Sequence, residues 1–180
     1  IEVEIEPIRS LVPIELGHRG AVTARRATAL FANLPASVAR RELEVVGGRL
    51  GLEEADLQIR EEKASIGPGN ALLIEVDFET GTEIVSAFGE RGVRAESVAE
   101  RAVREYRRFV SADVPVGRRL AGQLIVPFAI AGGGRFRTLE LSDHGRTNID
   151  VVRRFVDRPI GVIEDGEEGR AEVVFGGADG

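Results

Sequence analysis

The sequence predicts an α/β or α+β fold with mixed sheets. Strand-like stretches and stretches with apolar residues at helical spacing are interspersed along the whole chain. The 180 residues are 43% hydrophobic and 30% charged, a balance that builds a packed core and not a disordered chain. At the sequence level no period of roughly 20 to 50 residues repeats, which argues against a solenoid.

The elements follow in order. "IEVEIEP" sets Ile1, Val3 and Ile5 on one face and Glu2, Glu4 and Glu6 on the other, which predicts a first strand. Residues 11–16 and 21–31 read as further strands, separated by the turn "GHRG". Pro35 opens a helix with an apolar stripe at Ala39, Leu43, Val46 and Leu50, and Gly51 sits where a helix stops. "DLQIRE" predicts a short strand and "SIGPGN" a loop. Residues 71–89 form an apolar hairpin turning near Thr80 and Gly81. Ser97 and Glu100 have capping-box spacing, and Val98, Ala102, Val103, Tyr106 and Phe109 line the helix that follows.

A further helical stretch runs from about Gly117 until Pro127 kinks or ends it, followed by the triplet Gly132, Gly133 and Gly134. Residues 135–141 read as a strand and residues 147–156 as a helix, with Thr147 and Asp150 spaced as its cap. "PIGVIED" and "RAEVVFG" form a last hairpin, and the tail "GGADG" is expected to fray. Because the chain opens at Ile1 in mid-alternation, it is expected to be the C-terminal piece of something longer.

Several function classes are excluded by composition. With no cysteine there is no disulfide, no thiolate catalysis and no cysteine-based zinc site. Net charge is −6 at pH 7, which argues against bulk electrostatic attraction to nucleic acid. Lys63 is the only lysine among 24 basic residues, so an anion would meet guanidinium groups. No apolar run reaches the roughly 18 residues of a membrane span, and no signal peptide is visible, so the expected compartment is cytoplasmic.

His144, in "SDHGRTNIDVVRRF", is the residue the predicted helix does not explain, because it lies three positions ahead of the expected cap. It is either a solvent-exposed loop histidine or a functional one. In front of a helix N-terminus an imidazole faces unpaired amides and partial positive charge, where a phosphate would sit. Its neutral form leaves one ring nitrogen able to attack phosphorus, while Asp143 or a carbonyl holds the other. His18, in "LGHRG", reads as a turn or surface residue. "AGGGRF" resembles a phosphate loop but follows a helix and precedes a strand, the reverse of the nucleotide-binding order, so it reads as a helix stop and turn. The Arg pairs 25–26, 40–41, 107–108 and 153–154 read as solvated faces.

Taken in order, "LGHRG", "LPASVARRELE", "GPGNALLIEV", "GVRAESVAERAVREYRRF", "GRRLAGQLIVPFAIAGGGRF", "DHGRTNIDVVRRF" and "PIGVIED" resemble the C-terminal half of the RNA 3'-terminal phosphate cyclase family across nearly the whole chain. Gln123 and His144 have the family's separation of 21 positions, and Thr147, Asn148 and Ile149 follow as in the family. The resemblance implies a core of repeated βαβ-type units, here residues 1–19 and 111–180, with a small α/β domain inserted at 20–110. It implies ATP-dependent conversion of RNA 3'-phosphate ends to 2',3'-cyclic phosphate through a histidine-AMP intermediate at His144, with Mg or Mn as the metal. Arg119, Leu120, Ala121, Gly122 and Gln123 would line the nucleotide pocket.

Implied partners are RNA 3'-phosphate ends and the N-terminal half of the same protein, without which the chain is expected to be inactive. No membrane partner is expected, and a homodimer is left open. Two positions depart from the pattern: Gly122 replaces the family's usual aspartate, and Arg119 stands where some members have tyrosine. A related branch without the histidine acts in ribosomal RNA processing and is the alternative reading; His144 favours the enzyme.

Overall fold

A computed structural model describes residues 3–166 and 169–176. Its elements are β1 (Glu15–Leu16), β2 (Val22–Ala32), α1 (Ser37–Leu50), β3 (Leu57–Glu61), β4 (Gly69–Phe78), β5 (Gly81–Phe88), α2 (Ala95–Ala112), α3 (Arg118–Ala131), β6 (Gly134–Leu139), α4 (Asp143–Val152), β7 (Ile160–Asp165) and β8 (Arg170–Phe175). With four helices and two mixed sheets, this is the α+β class that the sequence predicts. The chain divides into two compact units, residues 19–113 and residues 1–18 with 114–180.

In the unit of residues 19–113 the strand order is β3-β2-β4-β5. β2 runs parallel to β3 and antiparallel to β4, and β4 and β5 form the expected hairpin. Apolar residues of α1 (Ala39, Leu43, Val46) and of α2 (Val98, Ala102, Val103, Phe109) are buried with Leu72, Ile74 and Val76 of β4. Each fully buried large side chain contributes roughly 1.5–3 kcal/mol. The arginine pairs tie elements together: Arg26 bridges Glu75 and Asp77 across the β2–β4 pairing, and Arg41 joins α1 to Glu96 of α2.

The second unit has strand order β1-β6-β8-β7, with β1 parallel to β6 and the other pairs antiparallel. α3 and α4 pack over a core of Ile125, Phe128, Phe136, Ile149, Ile160, Val173 and Phe175. Phe128 meets Phe136 edge-on at 5.2 Å and lies tilted against Phe175 at 5.3 Å; an edge-on pair adds about 0.5–1.5 kcal/mol. Gly134 has φ 104°, and a Cβ there would lie 2.4 Å from the Ile14 carbonyl oxygen, so only glycine lets β1 reach β6.

Four expectations need correction. Val3 to Ile14 form no strand: Val3, Ile5 and Ile8 are exposed, so the alternation has no core to face, and only Glu15 and Leu16 find a partner strand. Ile1, Glu2 and most of the tail "GGADG" lie outside the described residues. Ser97 is not a cap, because α2 starts at Ala95 and the Ser97 N–H already donates to the Arg94 carbonyl. Pro127 does not end α3, which continues to Ala131, although it contributes no N–H to the ladder. Gly132, at φ 77°, is the actual stop. Finally, α4 begins four residues earlier than expected, with Ser142 and not Thr147 as its N-cap.

Candidate active site

The start of α4 rests on one hydrogen bond: Ser142 Oγ accepts from the Gly145 backbone N–H at 3.1 Å. His144 is therefore the second residue of the helix and not a loop residue ahead of it. Its side chain is exposed and has no hydrogen-bond partner among the described residues. In particular Asp143 does not hold it; Asp143 is an exposed acidic residue in the first turn, where a carboxylate favours the helix dipole.

The neighbouring face is supplied by α3. There Arg119, Gly122, Gln123 and Val126 fall at i, i+3, i+4 and i+7, so they share one side of the helix. A Cβ on Gly122 would lie 3.9 Å from His144 Cδ2, in ordinary contact, so the imidazole lies beside this backbone. One turn further along α4, Asn148 Nδ2 donates to the Gly122 carbonyl at 2.9 Å and fixes the two helices at this point. Arg146 of α4 is paired with Glu164 of β7, and Arg153 with Asp150 and the Ile160 carbonyl, so the helix is also tied to the sheet.

Of the residues expected around the nucleotide, the structure brings Gly122 and His144 together. Arg119 and Gln123 are exposed on the same side of α3. Leu120 and Ala121 face the other way: Ala121 is fully buried and Leu120 packs against the core. His18 is exposed in its turn, and Gly132 to Gly134 serve as a helix stop and strand entry. Among the described residues no group of three or more His, Asp or Glu side chains is arranged to hold a metal ion, and no helix is long and apolar enough to cross a membrane.

Two residues that position the site were missed from sequence. Ser142 escaped because the capping-box rule wants Glu or Gln three residues on, where this chain has Gly145. Asn148 is at i+4 from His144, a spacing that puts both on one helix face and was legible in principle.

Residues 17–111 match the family described as "RNA 3'-terminal phosphate cyclase (RTC), insert domain". The chain is 42% identical over 179 residues to an RNA 3'-terminal phosphate cyclase of Koribacter versatilis (strain Ellin345), covering 99% of this chain and 50% of that protein. It is 43% identical over 148 residues to one of Ectopseudomonas mendocina (strain ymp), covering 82% and 43%. The chain thus spans about half the length of the curated relatives it matches.

Proposed function

Because the chain belongs to the RNA 3'-terminal phosphate cyclase family, we propose that it carries the nucleophile of an ATP-dependent enzyme that turns RNA 3'-phosphate ends into 2',3'-cyclic phosphates. The observation that carries this reading is an exposed imidazole at the start of α4, without a hydrogen-bond partner among the described residues and lying beside Gly122 of α3.

The chemistry proceeds in three displacements. A His144 ring nitrogen uses its lone pair to form a bond to the α-phosphorus of ATP, the bond to the bridging oxygen breaks, and pyrophosphate leaves. An oxygen of the RNA 3'-phosphate then attacks the same phosphorus, and the N–P bond breaks to free the imidazole. The 2'-hydroxyl next attacks the activated 3'-phosphate, loses its proton, and displaces AMP as the ring closes. Adenylation is needed because a phosphate monoester has no good leaving group.

The residues support the first step in specific ways. The backbone N–H groups of Asp143 and His144 have no acceptor among the described residues and point out of the helix start, where phosphate oxygens are favoured. Arg119 and Gln123 offer donors on the adjoining face of α3. A reactive imidazole also needs its second nitrogen held in one tautomer, and no described residue does so. That orienting group belongs to what we propose as the missing partner, the remaining half of the full-length protein, and its absence makes the isolated chain inactive. Mg or Mn, the metal implied by the resemblance, finds no ligand cluster among the described residues.

The test is adenylation of the full-length protein with ATP labelled at the α-phosphate. Acid-labile, alkali-stable label is expected on the native protein and not on His144→Ala. Equal labelling of the alanine variant would refute His144 as nucleophile.

A further inference from the structure

Within residues 34–98 the chain forms a partly open cavity of about 510 Å³, inside the usual range for small-molecule sites. Its walls are largely apolar, formed by Leu34, Val38, Val93 and Val98, and its polar lining includes Glu42 and Asn70. Glu42 is 0% exposed. Its Oε1 accepts a hydrogen bond from Asn70 Nδ2 at 2.6 Å. Its Oε2 is buried and has no hydrogen-bond partner among the described residues.

This arrangement is built and not incidental. A Cβ on Gly89 would lie 1.6 Å from Asn70 Oδ1, so glycine at that position is what lets the amide sit where it reaches Glu42. Gly89 N–H also donates to the Asn70 carbonyl at 3.0 Å, which fixes the backbone there. A carboxyl buried with one oxygen unpaired is costly, and no arginine or lysine is paired with it. Nothing in the packing of α1 requires an acid on its buried face.

We propose that this cavity binds a small organic cation, a primary ammonium or amidinium on a short apolar body, whose N–H groups donate to Glu42 Oε2 once the side chains that cover that oxygen shift aside. The apolar body packs against Leu34, Val38, Val93 and Val98. Glu90, which is paired with Arg101, and Arg91 also line the cavity, and among the described residues no group of three or more His, Asp or Glu side chains could hold a metal ion. Burial pushes the Glu42 carboxyl above its ordinary range, which favours the neutral acid, and a bound cation would draw it back to the ionised form. The site lies in the insert and is independent of the reaction proposed for His144.

Benzamidinium and butylammonium serve as probes, titrated into the 180-residue chain and followed by amide NMR shifts, with benzamide and butanol as neutral counterparts. Saturable shifts in the millimolar range or tighter are expected at Glu42, Asn70 and Gly89 for at least one cation and not for its neutral counterpart. Glu42→Gln should weaken binding by roughly tenfold or more, the loss of a charge-assisted bond. Should that variant fail to fold, Val93→Trp, at a wall position 41% exposed, should block the cavity and abolish the shifts. Absence of saturable shifts with both cations, equal binding of the neutral compounds, or full binding by either folded variant would overturn the proposal.

Discussion

Replacing Ser142 and Thr147 separately by alanine tests where α4 begins, and with it where His144 sits. Ser142 Oγ accepts the Gly145 N–H at 3.1 Å, so Ser142→Ala removes an N-cap and should cost about 1 kcal/mol. Thr147 is an exposed residue inside the helix, where alanine is the better helix former, so Thr147→Ala should be neutral or stabilise by a few tenths of a kcal/mol. The assay is urea unfolding followed by NMR peak intensities of Ile149 and Val173, which report on the core beneath α4. For slopes of about 1–3 kcal/mol per M, the Ser142→Ala midpoint should fall by roughly 0.3–1 M. A loss on Thr147→Ala with none on Ser142→Ala would mean that the helix starts later and that His144 lies on a loop, which would refute the geometry proposed for the nucleophile.

Two further outcomes follow from the same structure. Asn148→Ala removes the 2.9 Å bond to the Gly122 carbonyl and should cost about 1 kcal/mol while lowering adenylation of the full-length protein; Asn148→Gln should not restore the rate, because the longer side chain misplaces the amide. For pH, the hydrogen-bonded Arg41 guanidinium holds the Glu96 carboxyl at about 2, below its ordinary 4.5. A depressed carboxylate stabilises the fold fully above 4.5, and the contribution is lost as pH falls towards 2. The urea midpoints of the native chain and Arg41→Gln should therefore differ at neutral pH, less so at high salt, and converge between pH 4.5 and 2. A gap that persists below that window would contradict the assignment.

Most of the fold was legible because its signals are local. The stripe Ala39, Leu43 and Val46 with Gly51 behind it fixes α1, and the paired apolar runs around Thr80 fix the β4–β5 hairpin. The same logic failed where a local signal had no tertiary partner, as at Val3 and Ile5, or where two caps competed, as at Ser142 and Thr147. Glu42 shows a signal present but unread: it lies between Ala39 and Val46 at i+3 and i−4, on the face of α1 that is buried.

The residue order alone determined the α+β class and nearly every strand and helix, and it singled out His144, since side-chain periodicity and turn chemistry are properties of neighbours in sequence. Tertiary structure decided the rest. That His144 lies on the first turn of α4 beside Gly122, that Asn148 ties the two helices, and that Glu42 faces a cavity with one oxygen unpaired all depend on packing between segments far apart in the chain. Periodicity says which face of a helix is buried; only the partner across the interface decides what that face touches.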